Sequence, residues 1–161
     1  FSDIPFSPYK LGISMFLAEL LSYATRHEQA NGVLYLFVQN SIEWLDRAKG
    51  SIGNFHIVFM IQLSFHLGFM PNIESGMSGD YFDLVDGCFV AHVPSHVHYL
   101  NKEDSMRLVS LLRLEYKTMH LYTMSRIERN RCVEVILEYY KLHLPDFPEM
   151  KSFSVLQELF A

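Results

Sequence analysis

Three histidines and a cysteine crowd into one short segment, GCFVAHVPSHVHYL, as Cys88, His92, His96 and His98. Imidazole nitrogen and thiolate sulfur are preferred zinc ligands, and a structural zinc site wants four of them in a tetrahedron. The spacing argues against such a site. In an extended strand all four side chains share one face, but alternate residues lie roughly 7 Å apart, too far to share one ion without a turn. Pro94 also restricts the backbone between them. Structural zinc ligands come in close pairs, and no clear pairing is visible here. The expectation is no metal and no cofactor, with these four as the only candidates.

Catalytic groups are equally thin. Cys132 falls among Val133 and Ile136, where a small core residue is expected, and Cys88 sits at a turn. His56 and His66 lie in the apolar run NFHIVFMIQLSFHLGFM and are expected to be buried, hydrogen-bonded histidines, since a catalytic pair also needs carboxylates nearby. Asp83 and Asp86 could be paired carboxylates, but turn chemistry accounts for Asp86. Gly50 and Gly53 lack the spacing of a phosphate-cradling loop. No catalysis is expected.

These residues belong to a chain of 161, half of it hydrophobic, with 13 Phe and 9 Tyr. That supports one domain with a substantial core. Two cysteines make no disulfide framework, so a reducing compartment is expected. The apolar run holds Asn54, His56, Gln62 and His66, polar groups too costly for a membrane span, so it reads as a buried helix. No signal peptide is visible, and the opening FSDIPFSPYK reads as the start of an excised domain. The net charge of −5 lies wholly in residues 1–101, and residues 102–161 balance. Within 107–131, six cations (Arg107, Arg113, Lys117, Arg126, Arg129, Arg131) face only Glu115 and Glu128. Such a zone suits an anionic partner or is simply a solvated pair of helices.

Ser7-Pro8 reads as N-cap and first helical position of a helix to about Gln29, apolar on most sides and central to the fold. Asn31-Gly32 breaks it, and Leu34, Phe37, Val38, Ile42 and Leu45 mark a second helix to about Arg47. A third runs from about Asn54 to Leu67, with Gly68 as its C-cap. Residues 72–100 depart from this pattern: YFDLVDGCFV alternates around Asp86-Gly87, which favours a two-residue hairpin. Helices resume after Asn101, after Ser125 (a capping box with Glu128) and after Ser152. The fold class is mainly α: a single helical domain over 1–161, about five to six helices, with one β-hairpin or irregular excursion at 72–100.

The order of NFHIVFMIQLSFHLGFMPN, YFDLVDGCFV and KSFSVLQELF resembles the C-terminal domain of the RecO family of bacterial recombination mediators. The matching positions are Asn54, Phe55, Leu67, Gly68, Phe69, Pro71 and Asn72, then Phe82, Asp83, Leu84, Gly87 and Phe89, then Met150-Lys151-Ser152. The resemblance covers nearly the whole chain and rests on ordered features, none specific alone. It implies an absent N-terminal OB-fold that binds single-stranded DNA, and a helical domain that docks the acidic, apolar C-terminal tail of single-stranded DNA-binding protein (SSB). It also implies RecR as a partner, roles in DNA repair and recombination, no membrane, and a cytoplasmic, nucleoid-associated location. Family members often carry a zinc ribbon of four cysteines at the excursion. Here the first pair would fall in IESGMSGD, which has neither cysteine nor histidine. The histidine loop then reads as a relic, with Tyr81, Phe82, Phe89 and Tyr99 packing where an ion would sit.

A peptide that is acidic and apolar needs a greasy groove with a basic rim. Phe55 and Phe59, with Arg47 and Lys49 before them, are the candidates, although either Phe alone also suits a core. Family members with a basic pocket often carry arginine just before that Phe, and here Gly53 and Asn54 stand there. Nucleic-acid contact through Arg113, Lys117, Arg126, Arg129 and Arg131 is a second reading, though Glu128 and Glu134 could equally pair with these arginines. A third is a scaffold whose Ile4, Pro5 and Phe6 pack on the absent domain.

Overall fold

The structure is a computed structural model that describes residues 1–74 and 79–160. Its frame is six helices: α1 (Pro8–Ala24), α2 (Gly32–Arg47), α3 (Phe55–Leu67), α4 (Lys102–Leu112), α5 (Arg126–His143) and α6 (Phe153–Leu159). Single 3-10 turns stand at Ile4–Phe6 and Met119–Leu121. Three short strands, β1 (Tyr81–Asp83), β2 (Cys88–Val90) and β3 (Tyr99–Leu100), form an antiparallel sheet with β1 in the middle. The domain is mainly α with one β excursion. Among the described residues no helix is long and apolar enough to cross a membrane.

Helix α3, rather than α1, is central. Apolar residues occupy most of its circumference, and Phe55 to Ile61 are all buried. It packs between α2, α4 and α5. Gly68 ends it at φ +89, a left-handed cap that costs glycine no Cβ strain. The Tyr140 hydroxyl, fully buried on α5, donates to the Met60 carbonyl at 2.5 Å.

The local signals hold where side chains have no competing partner. Ser7 accepts from the Lys10 N–H, Asn101 from the Asp104 N–H, and Ser125 with Glu128 forms the full capping box. Elsewhere tertiary partners override them. Helix α1 stops at Ala24, five residues short of expectation, where Thr25 turns its hydroxyl back onto the Leu21 carbonyl. Asn31 begins α2 rather than breaking α1, its side chain accepting from Val33 and Leu34 N–H. Ser152 does not cap α6, because its hydroxyl donates to Glu19 on α1, which also accepts the Lys151 and Ser152 N–H groups. Burial alone would push the Glu19 carboxyl up, but these bonds outweigh it and hold the pKa below its ordinary value.

The hairpin turn also differs. Asp83 pairs with Cys88, so four residues, Leu84 to Gly87, make the loop instead of two. Only Gly87 takes positive φ, at +69, and a Cβ there would meet the Tyr139 hydroxyl at 2.8 Å. Asp83 organises this loop. Its buried carboxylate accepts from Val85 and Asp86 N–H at 2.9 and 3.2 Å and lies 3.1 Å from His96 Nε2. The sheet packs through Phe82, Leu84 and Leu100 onto Leu108 of α4 and Tyr139 of α5. Phe82 meets Phe89 edge-on and Tyr81 meets Tyr99 likewise, so aromatic packing does hold the excursion together.

The amino-terminal residues are clasped by α2. Asp46 accepts the N–H groups of Ser2, Asp3 and Ile4, while the buried Lys10 ammonium donates to Asp3 and to the Asp46 and Ala48 carbonyls. Ile4 is thereby part of the core, not a free apolar patch, although Phe6 stays exposed.

Two predictions follow from these polar hubs. Replacing Asp83→Ala removes the acceptor of the part-buried Val85 and Asp86 N–H groups and of His96, and should cost about 1–2 kcal/mol in urea unfolding. Backbone N–H donors from Ile4 and Asp3, offset in part by desolvation, hold Asp46 well below the usual carboxylate range. Its contribution is therefore present above an unfolded value of about 3.9 and is lost as pH falls through the lower folded value. Asp46→Asn should lower stability at pH 7 and flatten the loss of stability below about pH 4, read from thermal midpoints across pH.

Candidate binding site

The histidine loop is held by hydrogen bonds in place of a shared ion. His98 donates its backbone N–H to His96 Nδ1 at 3.0 Å, which leaves His96 Nε2 as donor to Asp83. His98 Nδ1 donates to Glu138 of α5 at 2.9 Å, and His92 is exposed. Cys88 is half-buried, and desolvation with Asp86 and Asp83 nearby pushes its thiol up, away from the thiolate that a metal or an electrophile would need. Cys88, His92, His96 and His98 are not brought together. Among the described residues no group of three or more His, Cys, Asp or Glu is arranged to hold a metal.

Cys132 is a core residue against Met124, its thiol pushed up to about 11 by burial. His56 is not the hydrogen-bonded histidine expected: it is fully buried with Nδ1 unpartnered, and burial, with Arg129 nearby, pulls its pKa down to about 3. His66 stacks on Phe37.

Phe55 and Phe59 cannot line a groove. Both are 0% exposed, covered by Trp44, Tyr116 and Phe37 in a stacked aromatic row. The apolar face expected for a peptide is inside the core. Arg47 lines a shallow concavity with Trp44, Asn40 and Glu43. Lys49 lies elsewhere, at the rim of an open cleft of about 560 Å³ between the start of α1, residues 48–53 and the end of α6.

That cleft is the strongest candidate site. Tyr9 and Phe160 form one wall, ring centroids 5.4 Å apart. Lys10 is neutralised by Asp3, whereas Lys49 has no ion pair among the described residues. Arg129, reaching in from α5, has its guanidinium 5.8 Å from the Phe160 ring centroid. Its polar contacts are long and neutral: Asn54 Oδ1 at 3.4 Å and the Met124 carbonyl at 3.5 Å. No carboxylate among the described residues pairs with it, and burial disfavours its charge. A half-buried guanidinium in that state calls for an anion. The start of α3 adds to this. Asn54 at the cap position makes no cap bond, donating its amide to the Met119 and Tyr122 carbonyls, so the positive end of the helix dipole is not capped by a side chain. Gly53 leaves room for the arginine, since a Cβ there would stand 3.2 Å from its Nη2.

The five cations named for nucleic-acid contact have different surroundings. Arg131 pairs with Asp104, Arg126 donates to the Gln157 carbonyl, and Arg129 turns toward the cleft. Glu128 pairs across to Arg107 of α4 at 2.6 Å. Arg113, the C-cap of α4, and Lys117 beyond it are exposed. The sequence could not show which of Arg126 and Arg129 meets Gly53, because that contact joins residues 76 positions apart. Tyr9 and Phe160 carried no local signal at all.

Residues 5–152 match the family model described as recombination protein O C terminal. Among curated proteins, the DNA repair protein RecO of Phocaeicola vulgatus is 48% identical over 161 residues, covering all of this chain and 67% of that protein. The DNA repair protein RecO of Azobacteroides pseudotrichonymphae is 38% identical over 154 residues, 96% of this chain and 64% of that protein. That of Flavobacterium johnsoniae is 30% identical over 165 residues, all of this chain and 66% of that protein. The chain thus spans about two thirds of the length of these relatives. No solved structure matches it. Helical frame, β excursion and matched residues agree: the chain belongs to the recombination protein O C-terminal family.

Proposed function

We propose that this chain is the partner-docking module of a DNA repair and recombination protein, a non-catalytic domain that receives the C-terminal tail of SSB in the cleft beside Arg129. The DNA repair part of this reading rests on relatives named DNA repair protein RecO. The docking part rests above all on one observation, the half-buried Arg129 without a carboxylate partner. A tail that is acidic and ends in apolar residues supplies carboxylates to Arg129, Lys49 and the start of α3, and apolar surface to the aromatic side of the cleft at Tyr9. Contacts with RecR, and with single-stranded DNA through an OB-fold, belong on this reading to the longer protein, in a bacterial cytoplasm near the nucleoid.

Fluorescence anisotropy with a labelled SSB tail peptide tests it. Binding should saturate, fall when the last apolar residues are removed, and weaken as salt rises. Losing one charge-assisted bond to a half-buried arginine is worth about 1.5–3 kcal/mol, so Arg129→Ala should weaken binding roughly ten- to hundredfold. Lys49→Ala should cost less, and Arg113→Ala with Lys117→Ala nothing. If the last pair is the one that matters, and a single-stranded oligonucleotide binds in its place, the exposed basic surface is the functional one instead.

A further inference from the structure

The Phe160 ring has three neighbours that look like a binding site already filled. It meets Tyr9 at a 41° tilt, centroids 5.4 Å apart, stacks on His56 at 6.1 Å, and has Arg129 5.8 Å from its centroid. His56 is buried, Phe16 meets its ring edge-on at 5.9 Å, and its Nδ1 has no partner. Phe160 itself stays partly exposed and lines the open cleft. One aromatic side chain therefore separates open space from a buried aromatic pocket with an unmet polar atom.

The element that carries it is short. Helix α6 spans seven residues, has no side-chain cap at its start, and leaves Ser154, Val155 and Glu158 exposed. Leu156, its one buried residue, belongs to the core and Phe153 packs on Phe16, so its first turn is fixed. Leu159 sits over Gly12 of α1, where a Cβ would overlap the leucine methyl. The polar ties from Glu19 lie at Lys151 and Ser152, and past Leu156 the helix receives one more, from the exposed Arg126 to the Gln157 carbonyl. Phe160 can therefore leave the cleft by movement of the last turn, residues 157–160, with Leu156 still in the core.

We infer that Phe160 is a displaceable cover over the docking cleft, and that an apolar or aromatic side chain of the docked peptide takes its place against His56 and Tyr9. This rests on the docking reading above and adds an intramolecular competitor to it. The same chemistry is offered from within the chain, since Glu158, Leu159 and Phe160 put an acidic residue before two apolar ones. A ligand for the open form binds with its affinity reduced by the fraction of time the cover is open, and removing the cover restores it.

The probe is a fluorescein-labelled peptide with an aspartate-rich body and a C-terminal Phe. Phe160→Ala should bind it about tenfold tighter than the unaltered chain, as for a cover open roughly one-tenth of the time. Gly12→Leu, which takes the space of Leu159 without touching the cleft, should act in the same direction. In the unaltered chain, peptide binding should speed amide exchange across residues 157–160 while slowing it across 52–58. Equal or weaker binding by Phe160→Ala, or slower exchange in α6 on binding, makes Phe160 a wall of the site and overturns the cover, with docking intact. Tight binding by Phe160→Ala where the unaltered chain binds nothing supports it fully. If neither protein binds, docking fails, and the cover with it.

Discussion

A helix buried on every side must find partners for the N–H groups at its own start, and α3 meets this demand in an unusual way. Asn54 occupies the cap position, yet its amide nitrogen donates to Met119 and Tyr122, pinning the connection between α4 and α5 onto the helix. Its carbonyl oxygen accepts from Arg129 of α5. One side chain thus ties together the α3 start, the 3-10 turn at Met119–Leu121 and the face of α5. The helix that organises the core consequently starts without a side-chain cap, next to Gly53, which lines the open cleft.

The rest of the charge distribution makes that place distinctive. Lys10, Arg107, Arg131 and Lys141 each have a carboxylate, and Asp46 and Glu19 are saturated by backbone donors. Exposed cations such as Arg113 and Lys117 need no partner, because water solvates them. Arg129 is the exception, too buried for full hydration and without an anion. A folded domain tolerates such a group when function supplies the counter-charge at the moment of binding. The histidine loop is the converse case. Its groups satisfy one another, Asp83 with His96 and Glu138 with His98, and so offer little to a ligand.

Much of the fold was legible because local rules had no rival. The capping residues Ser7, Asn101 and Ser125, the glycine after α3 and the unbroken apolar face of α3 itself all act within a turn of their own position. Where a distant partner entered, local reading failed. Ser152 answers Glu19, 133 residues away, and so does not cap α6. The hairpin read as a two-residue turn because Asp86-Gly87 suits one, but Asp83 accepts the Val85 and Asp86 N–H groups and widens the loop. The site suffered most. Phe55 and Phe59 were plausible groove residues only while Trp44, Tyr116 and Phe37 were not known to cover them.

The cation missing from the sequence shows why sites are harder to read than folds. Gly53 and Asn54 stand just before Phe55, where the resemblance led one to look for an arginine. In space a cation stands beside them all the same. Arg129 brings a guanidinium against Gly53 from another helix, and the glycine is what lets it approach. Position along the chain and position in the pocket are separable, since a pocket needs a charge at a point and has no stake in which backbone delivers it. Delivery from α5 has a physical consequence. Arg129 stands on an 18-residue helix packed on α3 and is held by Asn54. A side chain already held in place loses less conformational entropy when an anion pairs with it, which would offset part of the cost of keeping its charge half out of water.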